Sequence, residues 1–334
     1  MDNRVNKKII WLSRLSLLAV LLAWIVIGLG AYTRLSNAGL GCPDWPGCYG
    51  HFTVPSSSHI NQPKAWAEMI HRYCAGTLGL LVISIALLAL LTSATYGFRY
   101  LLLAMLLFTL IIYQAILGMW TVTLQLLPLI VTQHLLGGMT LIALLWLIYL
   151  HARSHPFLTQ NTTSLIPLKP WAVIGLVLVA LQIALGAWTS TNYAALSCPD
   201  FPYCHANLAQ HFDFYHAFNL WSPIGVNYEG GRLESLARQT IQMIHRFGAL
   251  IVTLYIVSMV TWILLKINHP PLRKIAFLLL IMLSIQIVLG TLNVILKLPL
   301  TIAVMHNVTA TLLLLTIITL NFTVFTSRKE CYES

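Results

Sequence analysis

Four histidines lie inside long apolar stretches of the sequence, where an ionisable side chain is costly and usually functional. They are His71, His134, His245 and His306, and the other eight histidines lie in loops or at the edges of apolar stretches. A hydrogen bond to a neighbouring helix would explain one such residue, but four at matched positions favour a shared role. Two neutral imidazoles on different helices can bind one haem iron. Zinc is less favoured, because a structural zinc site needs four ligands.

The residues three and four positions after each of these histidines share its helix face, and all of them are small. They are Cys74 and Ala75, Gly137 and Gly138, Gly248 and Ala249, and Thr309 and Ala310. Small residues also serve ordinary close packing between membrane helices. Their recurrence after all four histidines favours room for a flat macrocycle, so we predict two haem sites with two histidine ligands each.

The two predicted sites differ in one ionisable residue. Glu68 lies three residues before His71, on the same helix face, whereas Gln242 holds the matching position before His245. A carboxylate can act as an acid or a base, although a salt bridge to Arg72 would also account for it. The difference predicts that the first half of the chain binds a substrate and the second half a permanent cofactor.

Three arginines are candidates for pairing with haem propionates, since guanidinium groups suit planar carboxylates. Arg72 and Arg246 directly follow two of the histidines, and Arg34 ends the first apolar stretch. The alternative is that these side chains extend to the lipid headgroups.

Two cysteine pairs have the same spacing. Cys42 and Cys48 enclose CPDWPGC, and Cys198 and Cys204 enclose CPDFPYC. Both pairs fall in predicted outer loops, where disulfides persist. They either staple the loops, at about 2 kcal/mol each in the chain-entropy model, or exchange electrons with a thiol system. The spacing is not CxxCH, so covalent haem attachment is not indicated.

The composition requires a membrane to accommodate these residues. Of 334 residues, 58% are hydrophobic and 8% are charged, whereas a soluble domain carries about 25% charged residues. Eight stretches have the roughly 20 apolar residues of a membrane-spanning helix. They are residues 10–31, 68–92, 99–121, 127–150, 170–190, 240–265, 272–294 and 299–325. We predict an all-α polytopic membrane protein.

The charges predict the orientation of the chain. The first stretch follows Arg4, Lys7 and Lys8 and has no small-residue cleavage site, so we expect an uncleaved span with both termini inside. The net charge of +10 then divides into +9 inside and +1 outside. It reflects orientation and does not indicate nucleic-acid binding. The absence of a preceding transit-like segment favours a bacterial inner membrane over a mitochondrial one.

An internal repeat relates the two halves. Residues 30–48 and 186–204 align without gaps at an offset of 156 and match at ten of nineteen positions. The histidines and the motifs Gln114-x-x-x-Gly118 and Gln286-x-x-x-Gly290 follow the same order in each half. We predict two parallel four-helix bundles, comprising residues 1–150 and 151–334.

These motifs together resemble the haem A synthase family, over essentially the whole chain. The resemblance rests on GxxTRLSxxGL at Gly30 to Leu40, the pair Cys42/Cys48, ExxHR at Glu68 to Arg72, and QHLLG around His134. It also includes His245-Arg246 and His306. It implies oxidation of a ring methyl of haem O to a formyl group in two oxygenation steps.

The resemblance also implies residue roles. The substrate haem would bind His71 and His134, and an electron-transferring haem B would bind His245 and His306. Glu68 matches an acidic residue beside the substrate, Cys42 and Cys48 would form a functional disulfide, and Cys198 and Cys204 a structural one. Haem O synthase and cytochrome oxidase assembly factors are the implied partners, besides membrane lipid, and a homo-oligomer stays open.

Two other functions fit the sequence less well. A dihaem cytochrome b that oxidises quinol would usually stack both haems in one bundle, whereas these four histidines lie near one side in separate bundles. A transporter or haem exporter would need polar residues along a path through the bilayer, and the inner halves of the spans are almost wholly apolar.

Overall fold

The computed structural model describes residues 3–96, 98–153, 165–202, 204 and 212–326. Within these ranges the chain is helical, and the only bridge of β type joins Cys48 to His51. The helices are α1 (Asn3–Leu35), α2 (Gln62–Tyr96), α3 (Phe98–Thr123), α4 (Pro128–Arg153), α5 (Lys169–Thr191), α6 (Phe214–Ala217), α7 (Ser235–Lys266), α8 (Pro270–Ile295) and α9 (Leu300–Thr326). A 3-10 turn, Ile166–Leu168, precedes α5.

All helices except the one-turn α6 are long and apolar enough to cross a membrane, so the described residues contain the eight predicted spans. The protein is a multi-pass membrane protein. Four helices carry a proline in their first two positions, where the missing amide hydrogen costs nothing. These prolines are Pro63, Pro128, Pro170 and Pro270.

The helices extend further than the apolar stretches predict. The α2 helix begins at Gln62 and α7 at Ser235, six and five residues before the expected starts. Hydropathy detects only the part of a helix that suits lipid, whereas backbone hydrogen bonding continues through the polar first turns. Glu68 and His71 therefore lie well inside α2, on a rigid element.

One end of the bundle is close-packed. Apolar side chains of α1 to α4 form a core that includes Val82, Ile85, Leu107 and Leu145, all fully buried. A second core surrounds α9, and two thirds of the most apolar window of α9 is buried inside the protein. The opposite end carries the cysteine loops and is called the loop end below.

The two halves meet through residues that the repeat makes equivalent. The Nη2 atom of Arg34 donates a 2.6 Å hydrogen bond to the carbonyl of Ser190, which lies at the same repeat position. The hydroxyl of Tyr193 donates to Oδ1 of Asn37, its own equivalent, at 3.2 Å. The Arg34 guanidinium also stacks 3.9 Å from the centre of the Tyr193 ring.

A similar contact lies deeper in the membrane. Thr311 on α9 donates to the sulfur of Met139 on α4 at 3.5 Å, and these residues are again equivalent, at an offset of 172. Contacts between equivalent residues are those that a two-fold axis between the halves would produce. The domain boundary at 150/151 stays a prediction, and it falls just before the end of α4.

Candidate functional site

The four membrane histidines lie at the loop end of the bundle. They occupy α2, α4, α7 and α9, and each lies six to ten residues after the first residue of its helix. At 1.5 Å per residue this is about 9–15 Å along each helix. Because these four helices run in one direction, the histidines share one depth.

A glycine of the neighbouring helix lies against each imidazole. A methyl group built on Gly30 would lie 3.0 Å from Cε1 of His71, and one built on Gly118 would lie 3.4 Å from Cε1 of His134. In the second half, a methyl group on Gly186 would lie 3.1 Å from Cε1 of His245, and one on Gly290 would lie 3.1 Å from Cε1 of His306. The sequence predicted no role for these glycines beyond marking the repeat. Each of these glycines precedes its histidine in the same order in both halves of the sequence, and this order could have indicated the contact.

The small residues that follow the histidines have two different roles. A methyl group on Gly137 would lie 1.8 Å from Nε2 of Gln114, and one on Gly248 would lie 2.3 Å from Oε1 of Gln182. These two glycines therefore make room for glutamine side chains, and their role beside a macrocycle stays a prediction. Gly138 and Ala75, in contrast, line the cavity described next.

The first half encloses a cavity of about 870 Å³, which lies in the usual range of small-molecule and cofactor sites. His71 and His134 both line it, together with Glu68, Arg34 and Arg72. The second half supplies part of its wall through Ser190, Thr191 and Asn307. The structure thus brings together the predicted substrate-side residues in one space.

The second pair of histidines, His245 and His306, lies on α7 and α9, and each imidazole contacts a glutamine side chain. Nε2 of Gln182 lies 3.0 Å from Nδ1 of His245 and donates to the His245 carbonyl at 2.9 Å. Nε2 of Gln286 lies 3.3 Å from Nε2 of His306, whose Nδ1 is buried without a hydrogen-bond partner. Gln182 was not predicted, because the first half has Val26 at its position.

Glu68 is 4% exposed and binds two donors. Its Oε1 pairs with Nη2 of Arg72 at 2.5 Å, and its Oε2 accepts a 2.8 Å hydrogen bond from the amide of Cys42. Gln242 repeats the second contact, since its Oε1 accepts from the amide of Cys198 at 2.5 Å. Both side chains therefore attach a disulfide loop to a helix, and what distinguishes Glu68 is its charge.

Arg72 and Arg246 hold the two cysteine loops by their carbonyl oxygens. Arg72 donates through Nη1 to Asp44 at 2.8 Å, to Pro46 at 3.3 Å and to Gly47. Arg246 donates to Asp200 at 2.8 Å, to Pro202 at 3.1 Å and to Cys198 at 2.7 Å. Neither extends to the headgroups as a free side chain, and their pairing with propionates stays a prediction.

Both predicted disulfides are present, Cys42–Cys48 and Cys198–Cys204, and Cys74 is a free thiol. Asp44 organises the first loop by accepting from the amides of Tyr49 at 2.6 Å and Gly50 at 2.7 Å. Burial acts to raise the pKa of Asp44, but these amides and the Arg72 charge hold that pKa below its usual value.

Replacing both Cys42 and Cys48 with serine is expected to loosen the first loop by about 2 kcal/mol. The two sulfurs are buried against Ala65 and Met69, so the loop loses a tether and gains unpaired hydroxyls. The measurement is the rate of protease cleavage within residues 42–54 of the solubilised protein. Changing Cys198 and Cys204 instead should leave cleavage there unaltered, and equal rates in all three proteins would contradict the expectation.

The fold and the site define a class of protein. Among the described residues, no three histidine, cysteine, aspartate or glutamate side chains come together as metal ligands. What the bundle offers instead is two pairs of imidazoles at one depth, a geometry that suits planar iron porphyrins. This is a polytopic helical membrane protein with a pair of histidines in each half.

The chain belongs to the cytochrome oxidase assembly protein family, which matches residues 13–318. The heme A synthase of Shewanella oneidensis is 44% identical over 93% of this chain and 95% of that protein. The heme A synthase of Bacillus cereus is 25% identical over 89% of this chain and 87% of its own. The family predicted from the motifs is therefore confirmed.

Proposed function

We propose that this chain is a haem A synthase, which oxidises a ring methyl group of haem O to a formyl group. The relatives that match nearly the whole chain carry this name. The observation that carries the proposal is the cavity of the first half, where two histidines and a buried carboxylate line one space. The second half has the histidines but an amide in place of the carboxylate.

The substrate haem binds in the first half, with His71 and His134 as the iron ligands. Their Nδ1 atoms are buried without hydrogen-bond partners, and unpaired buried ring nitrogens fit the role of metal ligands. Arg34 and Arg72 line the same cavity and are the candidates for its propionates. Arg34 also ties this wall to Ser190 of the second half.

Haem B is the proposed resident cofactor, with His245 and His306 as its ligands and Arg246 as a propionate candidate. The residues fit such a group, because Gly186 and Gly290 let the imidazoles lie close against neighbouring helices and Nδ1 of His306 is buried and unpartnered. When bound, haem B supplies one-electron transfer. Gln182 orients the His245 ring from its Nδ1 side.

Glu68 acts on the substrate side. Its carboxylate lines the cavity beside His71, with Arg72 as its counter-ion. From this position it takes up a proton or stabilises positive charge that develops at the methyl carbon. The reaction proceeds through a hydroxymethyl haem and then a hydrated aldehyde that loses water. A bis-histidine iron has no open site for oxygen, so either one histidine leaves or oxidation takes place at the ring edge.

We also place the protein in the bacterial cytoplasmic membrane, with both termini inside and the haem sites near the outer face. The excess of positive charge on the proposed inner side supports this orientation. Haem O synthase is the proposed source of the substrate, and cytochrome oxidase assembly factors are proposed to receive the product.

Pigment extraction tests the function. The full chain is expressed in a host that makes haem O and no haem A, and extracted haems are separated and identified by mass. Formyl haem should appear only in cells that carry the chain. Haem binding without any change of haem type would instead favour the dihaem electron carrier.

Replacing Gly186 with alanine is expected to lower haem B retention by about tenfold. The new methyl group meets His245 at 3.1 Å and must displace it, and such overpacking costs about 1–3 kcal/mol. The measurement is haem B per protein after detergent purification. Gly175 lies on the same helix, and a methyl group there meets its neighbours at 3.5 Å or more. Gly175→Ala should thus retain its haem, and equal loss in both variants would refute the prediction.

A further inference from the structure

The cavity of the first half reaches the lipid-facing surface between α2 and α3. Tyr73, Gly76, Thr77 and Leu80 lie on one face of α2, and each is both exposed and part of the cavity lining. Ile112 and Ala115 on α3 have the same two properties. A residue that is exposed within a membrane span and also lines a cavity lies where that cavity opens to the bilayer.

Small side chains keep this gap open. A methyl group built on Gly76 would meet no atom within 4 Å, so the space beside it is free. Ala115 on α3 lines the same cavity and has only a single methyl group. We call the opening bounded by Gly76, Leu80, Ile112 and Ala115 the α2–α3 gap.

The loop end of the cavity carries bulky, exposed side chains of the first cysteine loop. Trp45, Pro46 and Phe52 of the first cysteine loop line the cavity there. The hydroxyl of Tyr73 donates to the carbonyl of Phe52 and so fastens the loop to α2. A large apolar molecule therefore meets bulky side chains from the loop end and a gap from the side.

The second half differs at the two positions that open the gap. The repeat aligns Gly76 with Leu250 and Ala115 with Ile287, and it aligns Leu80 with another leucine, Leu254. Leu250 is 54% exposed and Ile287 is 41% exposed, so both side chains lie on the lipid-facing surface. At these two positions the second half therefore has large apolar side chains, whereas the first half has glycine and alanine.

We propose that the α2–α3 gap is a lateral passage that admits the substrate haem from the bilayer and holds its long apolar substituent. Leu250 and Ile287 close the equivalent passage of the second half and retain the resident haem. The inference rests on the proposed function, because it takes one half as a site of exchange and the other as a permanent site. A substrate with a hydrocarbon tail partitions into lipid, so a side entrance avoids moving that tail through water.

The test closes the gap with the side chains that the second half uses. The double variant Gly76→Leu with Ala115→Ile is made in the full chain and expressed in the haem O-producing host. Haem O retained per protein and formyl haem formed are both expected to fall about tenfold, because the larger side chains occupy the space that the substrate needs and such a clash costs about 1–3 kcal/mol. Haem B content should equal that of the wild type, which shows that the variant folds.

Two further proteins complete the experiment. Ala180→Ile enlarges an exposed side chain of α5 outside the cavity and should change nothing. Leu250→Gly with Ile287→Ala should release haem B faster during detergent washing. If the wild type converts haem O and the gap-closing variant converts and retains it equally well, the passage is refuted while the proposed function stands. If the wild type forms no formyl haem, the proposed function itself fails.

Discussion

Glu68→Gln is expected to lower formation of formyl haem by about 10²-fold or more, the usual contribution of a positioned acid or base. The loop should stay attached, because Gln242 already accepts the equivalent amide hydrogen bond in the second half. The variant therefore removes the negative charge and the ion pair with Arg72 while it keeps the contact to Cys42. The measurement is the ratio of formyl haem to haem O in pigment extracts.

A second variant separates charge from architecture. Glu68→Ala removes both contacts and, unlike Glu68→Gln, leaves the buried amide of Cys42 without an acceptor, which costs about 1–3 kcal/mol. Faster protease cleavage of residues 42–54 is expected for Glu68→Ala and not for Glu68→Gln. Wild-type conversion by Glu68→Gln would mean that the residue only anchors the loop and that its charge has no part in the reaction.

Alanine at His71 is expected to reduce conversion by about a hundredfold or more, since even the outer-shell partners of a ligating histidine are worth about 10–100-fold. The substrate haem loses a ligand in the first half, whereas His245 and His306 are untouched. Haem B content should therefore match the wild type while haem O retention falls. Both quantities are measured by haem extraction and by the reduced-minus-oxidised spectrum of the purified protein.

The matched variant is His245→Ala, its equivalent in the repeat. It should lose haem B and keep the first-half cavity, so haem O binds but is not converted. Loss of haem O retention alone in His71→Ala and loss of haem B alone in His245→Ala are expected only if the two halves bind different haems. Loss of both haems in both variants would contradict the proposed division of labour between the halves.

Sequence reasoning was most successful where the physics is local or repeated. The eight spans follow from the length of apolar stretches, because every residue of a span must suit lipid. The disulfides follow from two cysteines held six residues apart in a short loop. The grouping of His71 with His134 followed from the repeat, which places both in the same half at the same depth.

Partners between distant segments were harder to predict. Arg34 was expected near a propionate, and it also bonds to Ser190, 156 residues away, across the interface of the halves. Glu68 was expected beside the substrate, and it also anchors Cys42. Gly137 was interpreted as space for a macrocycle, and it also lies against Gln114. Each of these contacts depends on how two helices rotate against each other, which hydropathy does not report.

The sequence by itself determined that this is a membrane protein with eight spans, a duplicated set of histidines and one half that alone carries an acidic residue beside them. Those features follow from composition, spacing and repeat, and no packing is needed to recognise them. The tertiary structure alone decided that Glu68, His71 and His134 share a cavity and that Arg72 faces a loop. It also placed Gly76 and Ala115 in the lining of one cavity, since side chains from separate helices meet only when those helices pack.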